Sequence, residues 1–131
     1  MPPHDRSSAT RDERGSVTIV VAGILAASLV LALGSADLTR VLVVAADAQT
    51  AADAAALAAA QELALPSELE PADAARDFAA RNGAILLSCE CERETFEALV
   101  RVRVAVGQLL LFADDRVVEA TARAVVDLPS P

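Results

Sequence analysis

The sequence is poor in the side chains that most catalytic sites use. Its 131 residues include no Trp, no Tyr and no Lys, and the only histidine is His4. General acids and bases would therefore have to be carboxylates or the two cysteines. The three phenylalanines offer little of the aromatic platform of a sugar-binding cleft. No glycine-rich phosphate loop or nucleophile elbow occurs in the sequence. We expect a protein that is not an enzyme and has no cofactor and no small-molecule substrate.

Basic charge is scarce as well, and the formal net charge is −8. A nucleic-acid partner would require a basic surface opposite its phosphates, so the composition argues against one. The sequence also has no polybasic patch for anionic lipid. Because His4 lies in the polar N-terminal tail, it has no cysteine near it to complete a metal site, and no metal is expected.

The longest stretch without charge runs from Gly15 to Ala36. As a helix, the 21 residues 16–36 would be about 32 Å long. This length matches the hydrocarbon layer of a bilayer, which is about 30 Å thick. The rest of the chain is too short to bury such a helix in a soluble core. The sequence therefore predicts a polar leader, residues 1–15, followed by a transmembrane segment, residues 16–36, with membrane lipid as a partner.

The flanking charges predict the orientation of this segment. Three arginines precede it, at Arg6, Arg11 and Arg14, whereas Arg40 is the first basic residue after it. Basic residues favour the cytoplasmic side. We therefore expect a single-pass protein of the cell membrane, with a cytoplasmic N-terminus and an extracytoplasmic C-terminal part.

A cleaved signal peptide is the competing interpretation of the same segment. The small residues Gly34, Ser35 and Ala36 would suit a cut before Asp37. However, the apolar run is longer than that of a usual signal peptide, and no Pro or Gly interrupts the helical pattern from Ser35 to Leu65. Asp37 and Arg40 could also pair on one helix face. These features favour a segment that stays attached.

An Ala-rich extension, residues 37–65, continues the helix until Pro66 ends it. Small side chains form a stripe along one face, at spacings of three and four residues. The stripe comprises Ala45, Ala48, Ala52, Ala55 and Ala59, and the membrane part continues the theme with Gly23, Ala27 and Gly34. Such a stripe permits close helix packing, either on the protein's own C-terminal domain or against like helices in an assembly.

Residues 66–131 predict a small α+β domain. A short helix is expected from Ala72 to Arg81, because Pro71 fits its first turn and Asn82-Gly83 ends it. The period then changes to two, which predicts a three-stranded antiparallel sheet with a hairpin at Arg93-Glu94. The expected inward residues are Ile85, Leu87, Cys89 and Cys91 in the first strand; Phe96, Ala98, Val100, Val102, Val104 and Val106 in the second; and Val118, Ala120, Ala122, Ala124 and Val126 in the third. The short helix and the upper long helix would cover this apolar face.

An apolar run, Leu109 to Phe112, interrupts the expected turn between the second and third strands. It could be a buried loop, an edge strand, or a tip that contacts a membrane or a partner.

The two cysteines, Cys89 and Cys91, would share a strand face at about 7 Å. This spacing resists a disulfide between them unless the backbone is distorted. Buried free thiols, a strained or intermolecular disulfide, and a metal or redox site remain as interpretations.

Four stretches in a fixed order resemble TadE-like proteins of tight-adherence pilus and secretion gene neighbourhoods. The matching patterns are ERGS-T at Glu13–Thr18, AQ-AADAAALAAA at Ala48–Ala60, NGA-L--C at Asn82–Cys89 and ATARA at Ala120–Ala124. This resemblance covers about residues 12–126. It implies a pilin-like architecture and a pseudopilin-like envelope component whose partners are other pilus or secretion components.

The resemblance also implies specific features at single residues. Prepilin-type leaders are cut after a Gly that follows basic residues, which here predicts processing between Gly15 and Ser16. Such pilins carry Glu at the fifth mature position, where this chain has Val20, so a minor component or membrane scaffold is expected rather than the main filament subunit. The family's cysteine upstream of the short helix is absent from residues 66–82, so its disulfide does not carry over. The alternative is an exported or anchored small domain that binds another envelope protein.

Overall fold

The chain forms one very long helix, one short helix and a three-stranded antiparallel sheet. The computed structural model describes residues 9–65, 67–112 and 115–127, and of residues 9–14 only the backbone. The elements are α1 (Ala9–Ala64), α2 (Pro71–Arg81), β1 (Ile85–Glu92), β2 (Glu97–Gly107) and β3 (Arg116–Val125). The predicted α+β class is confirmed.

Helix α1 is longer than predicted at its N-terminal end. It begins at Ala9 rather than Ser16, so the second half of the predicted leader is helical. This stretch contains no Pro, and its charged residues are compatible with a helix. With 56 residues, α1 is about 84 Å long. It ends at Ala64, and the Leu65 N–H still bonds to the Gln61 carbonyl at 2.9 Å.

Helix α2 begins and ends where the sequence predicts. Pro71 occupies its first turn. At its other end, Gly83 adopts a φ of +73°, which a residue with a side chain rarely does. The guanidinium of Arg81 lies 2.7 Å from the carboxylate of Asp77, one turn earlier. Ala75 and Ala79 form the buried face of α2, packed on α1 and β1.

The sheet has the order β1-β2-β3, with the predicted hairpin between Glu92 and Glu97. In β2, Ala98, Val100 and Val102 are completely buried, as predicted. The predicted face of β3 also points inward.

The predicted inward face of β1 is only half right. The pairing of β1 with β2 shifts between Leu86 and Ser88, which leaves Leu87 as an extra residue in a β-bulge. A one-residue shift moves side chains to the other face. Leu86 therefore packs on the core with the two cysteines, whereas Ile85 and Leu87 are exposed.

The core lies between the upper part of α1, helix α2 and the inner face of the sheet. Ala52, Ala55 and Ala59 on α1 are completely buried against these elements. Because alanine has a minimal side chain, the α1 backbone can approach its neighbours closely. The predicted covers of the sheet are therefore confirmed.

Candidate functional site: the apolar helix and its junction with the β2–β3 loop

The lower part of α1 is apolar and uncovered. Every side chain from Gly15 to Ala32 is exposed, including large ones such as Leu29 and Leu31. Among the described residues, α1 is the one helix long and apolar enough to cross a membrane. The hydroxyl of Ser28 donates to the Ile24 carbonyl at 2.9 Å, so it needs no water partner. This part of the helix can therefore enter lipid without an unpaired hydroxyl at this position.

The small residues predicted to mediate helix packing have different environments. Gly23 has open space where a side chain would stand, and Ala27 is exposed. Gly34 is different, because the position of its missing Cβ lies 3.7 Å from Cδ1 of Leu111 in the β2–β3 loop. Gly34 therefore packs against the chain's own loop, whereas Gly23 and Ala27 remain open to a partner.

The stripe of small residues on the upper part of α1 is covered by the protein's own domain. Ala48, Ala52, Ala55 and Ala59 are completely buried beneath α2 and the sheet, and Ala45 is half-buried. Of the two interpretations of this stripe, the structure shows packing on the protein's own domain. Association with like helices stays a prediction for the open positions lower on α1.

Asp37 connects the upper end of the apolar segment to the β2–β3 loop. Its side chain is only 4% exposed. The two carboxylate oxygens accept hydrogen bonds of 2.8 Å from the backbone N–H groups of Leu110 and Leu111. The Leu110 N–H is the main cause that lowers the pKa of the Asp37 carboxyl below its ordinary value of 3.8. Burial opposes this shift, and the Leu111 N–H and the charge of Arg40 add to it.

Arg40 provides a second contact with the loop. Its guanidinium donates a 2.6 Å hydrogen bond to the carbonyl of Gln108. The sequence predicted that Asp37 and Arg40 pair with each other along α1. Instead, each binds the loop backbone, because the loop presents two N–H donors to the acid and a carbonyl to the base.

The apolar run between β2 and β3 is a loop rather than an edge strand. Leu109 is buried, whereas Leu110, Leu111 and Phe112 are exposed by 60%, 42% and 49%. The guanidinium of Arg116 lies 4.9 Å from the centre of the Phe112 ring. A cavity of about 250 Å³ lies beside this contact, lined by Asp37 and Val41 from α1 and by Leu109 and Phe112 from the loop. The buried-loop interpretation therefore holds for one residue of the four.

The cysteines are joined to each other. In the structure Cys89 and Cys91 form a disulfide, and their Cα atoms are 5.4 Å apart. Of the three interpretations left open, the structure has a disulfide within the chain. The expected separation of about 7 Å is wrong, because the backbone contracts between the two residues to a separation usual for disulfides. Both side chains pack against the core. The bridge therefore braces β1 beside its bulge.

Residues 15–62 match the family model described as "Putative Flp pilus-assembly TadE/G-like". Over these residues the chain is similar to TadE-like proteins. The matched residues include the exposed lower helix, the junction at Asp37 and nearly all of the buried Ala-rich stripe. No curated protein and no solved structure matches the chain.

The match supports the TadE-like resemblance and a relation to pilus assembly. The possible processing residues Gly15 and Ser16 lie within α1 and are exposed. Cleavage between them remains a prediction.

Sequence reasoning missed the role of Asp37 and Arg40 as the binding site for the loop. Two features could have indicated it. An acidic residue, Asp37, comes directly after the apolar segment, and a second apolar run, Leu109 to Phe112, lacks the period of a strand. The two features are more than 70 residues apart, so nothing local connects them.

Proposed function

We propose that this protein is a single-span minor pseudopilin or membrane scaffold of a tight-adherence-type pilus or secretion system. The observation that carries the proposal is the complete exposure of the apolar helix from Gly15 to Ala32. That helix is continuous with the one that forms the core of the folded domain. The role is assembly rather than catalysis, and the partners are membrane lipid and other pilus or secretion components.

The charge distribution supports a cytoplasmic N-terminus and an extracytoplasmic domain. Arg6, Arg11 and Arg14 precede the apolar segment, and basic residues favour the cytoplasmic side. The disulfide between Cys89 and Cys91 agrees with this orientation, since disulfides persist in oxidising compartments outside the cytoplasm.

The contacts of Asp37 support a helix that is not cut at the end of the apolar segment. Cleavage before Asp37 would remove Gly34, against which Leu111 packs. It would also place a new chain end at a side chain that is 4% exposed and bonded to the loop. A domain cut there would lose part of the loop's binding site.

The test is the extraction behaviour and the intact mass of the protein isolated from its native cells. We expect it to stay in the membrane fraction after alkaline washing. Its mass should correspond to a chain that begins at Met1 or, after pilin-type processing, at Ser16. A water-soluble chain that begins at Asp37 would contradict the membrane role and favour the alternative, an exported domain that binds another envelope protein.

The assembly role needs its own test in the same cells. A photo-reactive residue in place of Ala27 should crosslink to another pilus or secretion component or to a second copy, since this face of α1 is open. The same residue in place of Val125, which is exposed on the domain at the end of β3 away from the membrane, is the matched control. Crosslinks from Ala27 that contain lipid alone would contradict an assembly contact on this face.

A further inference from the structure

The β2–β3 loop lies beside the upper end of the apolar segment of α1. Two contacts fix this position: Leu111 packs at Gly34, and the Asp37 carboxylate binds the backbone of Leu110 and Leu111. Both helix residues lie within one turn of Ala36, where the sequence predicts that α1 leaves the hydrocarbon layer. The loop therefore stands at the expected level of the membrane surface.

The loop presents its apolar side chains outward at this level. Leu110, Leu111 and Phe112 together form the loop tip, and each is at least 42% exposed. Leu38 on α1 is also exposed and lines the same cavity as Phe112, and Leu111 packs at Gly34, so the tip adjoins an exposed apolar part of α1. A contiguous apolar surface on a protein marks a site of contact with a membrane or another protein.

Three backbone polar groups of the loop have hydrogen-bond partners within the protein, so they do not need water. An unpaired N–H or carbonyl group in lipid costs several kcal/mol, so irregular backbone rarely faces lipid. Here the N–H groups of Leu110 and Leu111 are bonded to Asp37, and the carbonyl of Gln108 is bonded to Arg40. The two charged residues of α1 thus pair three backbone groups of the loop, while the side chains of Leu110 and Phe112 remain exposed.

The charges around the loop tip limit the depth to which it could enter. Arg40 and Arg116 are exposed beside it, and arginine side chains can reach phosphates at the headgroup level. Arg116 also stacks on Phe112. Asp115 is exposed next to Arg116, and its carboxylate opposes deep burial. These charges suit the headgroup and upper acyl region rather than the bilayer centre.

We propose that the loop tip, Leu110 to Phe112, inserts shallowly into the outer surface of the membrane as a second lipid contact beside the α1 span. This inference rests on the proposed membrane insertion of α1. Its consequence is orientation: a span alone leaves the domain free to rotate about the helix axis and tilt, whereas two contacts fix which face of the sheet points away from the membrane.

The lack of tryptophan in the sequence makes a direct test possible. The full chain would be reconstituted in phosphatidylcholine vesicles as single-tryptophan variants, with lipids brominated near the headgroup end or near the methyl end of the acyl chain. Leu110→Trp and Phe112→Trp report on the loop tip. Leu29→Trp reports on the apolar segment, and Val125→Trp, exposed at the opposite end of β3, is the matched control outside the membrane.

We expect the emission of both loop-tip variants to shift to shorter wavelength and to be quenched more by bromine near the headgroup end. The emission of Leu29→Trp should be quenched more by bromine near the methyl end of the acyl chain. The emission of Val125→Trp should be quenched by neither lipid. Hydrogen exchange of the β2 amides should be equal in all four, which verifies the fold.

Three results would overturn the inference, and they are distinguishable. If the loop-tip variants match Val125→Trp while Leu29→Trp is quenched, the span stands and the second contact is wrong. If Leu29→Trp is also unquenched, membrane insertion itself fails. A blue-shifted but unquenched loop tip would mean that protein rather than lipid covers it.

Discussion

The two halves of α1 are both helical and apolar, but they differ in the size of their side chains and in what covers them. From Gly15 to Ala32 the helix carries large residues such as Leu25 and Leu29, and every residue of this stretch is exposed. From Ala48 to Leu63 it carries mostly alanine, and most of these residues are buried by the chain's own domain. Large side chains keep α1 away from other backbones and offer area to lipid, whereas alanine permits close packing. Side-chain size, rather than hydrophobicity alone, therefore separates the two environments of one helix.

The boundary between the halves is a polar junction. Asp37 and Arg40 bind the backbone of the β2–β3 loop at the point where the cover of the helix begins. Above this point the domain covers one face of α1, mainly from Ala48 to Leu63, whereas from Gly15 to Ala32 every residue is exposed. The following predictions test this division, from the largest expected effect to the smallest.

The largest expected effect comes from substituting leucine for alanine in each half of α1 and comparing the stability of the domain. Ala55→Leu adds three carbons at a completely buried site between α1, α2 and the sheet. Overpacking of this kind costs about 1–3 kcal/mol, so the free energy of unfolding of the domain should fall by that amount. Denaturant unfolding in detergent micelles measures it.

The matched control is Ala27→Leu, at an exposed position in the lower half. It should leave the domain's stability unchanged, because Ala27 is exposed and outside the core of the domain. Equal losses in the two variants would mean that the halves do not differ in cover.

The junction is tested by Asp37→Asn. An amide is neutral and offers one acceptor oxygen, so at most one of the two loop N–H groups keeps a hydrogen bond, and that bond is no longer charge-assisted. Hydrogen exchange at the Leu110 and Leu111 amides should accelerate about tenfold or more, whereas the β2 amides should not change. Asp47→Asn, an exposed acid on the same helix, is the control. Unchanged exchange at the loop would show that Asp37 does not hold it.

Acid should release the same loop without a mutation. Because the pKa of the Asp37 carboxyl is lower in the folded protein than its ordinary value of 3.8, the ionised form stabilises the docked loop. This stabilisation is complete above pH 3.8 and is lost as the pH falls through the lower, folded value. Amide protection at Leu110 and Leu111 should follow this course in a pH series. Loss of protection already near neutral pH would contradict the assignment to Asp37.

The smallest expected effect is steric and local, at Gly34. A methyl group there would meet Leu111 at ordinary contact distance, 3.7 Å, so Gly34→Ala should leave the loop in place. Gly34→Leu should displace the loop tip and increase exchange at Leu111, by less than Asp37→Asn does, since the hydrogen bonds can partly re-form. Gly23→Leu, with open space around it, is the control. Loop exchange that rises equally in Gly23→Leu would refute the contact.

Local features of the sequence were enough to predict the elements of the fold. The uncharged run, the Ala-rich continuation, Pro71 with Asn82-Gly83, and the period of two in β2 and β3 each act within a few residues. Helix α2 and the hairpin therefore appear where predicted. The sequence predicts that α1 starts at Ser16, seven residues after the observed start at Ala9. The charged residues before Gly15 limit the apolar part of the helix but do not limit the helix itself.

The first strand shows where local patterns fail. Its alternation predicts that Leu87 points inward with the cysteines, but the bulge at Leu87 changes the register against β2. The disulfide between Cys89 and Cys91 likewise needs a contracted backbone that the strand repeat does not predict. Both depend on how β1 fits a neighbouring strand and the core.

The sequence by itself determined where α1 ends, the uncharged segment within it and the α+β class, because composition and periodicity act through neighbouring residues. Only the tertiary structure decided that the alanine stripe is covered by the protein's own domain and that Asp37 and Arg40 hold the β2–β3 loop. Those contacts join residues separated by 68 to 74 positions. They exist only because the sheet folds back onto α1 and brings the loop to the end of its apolar segment.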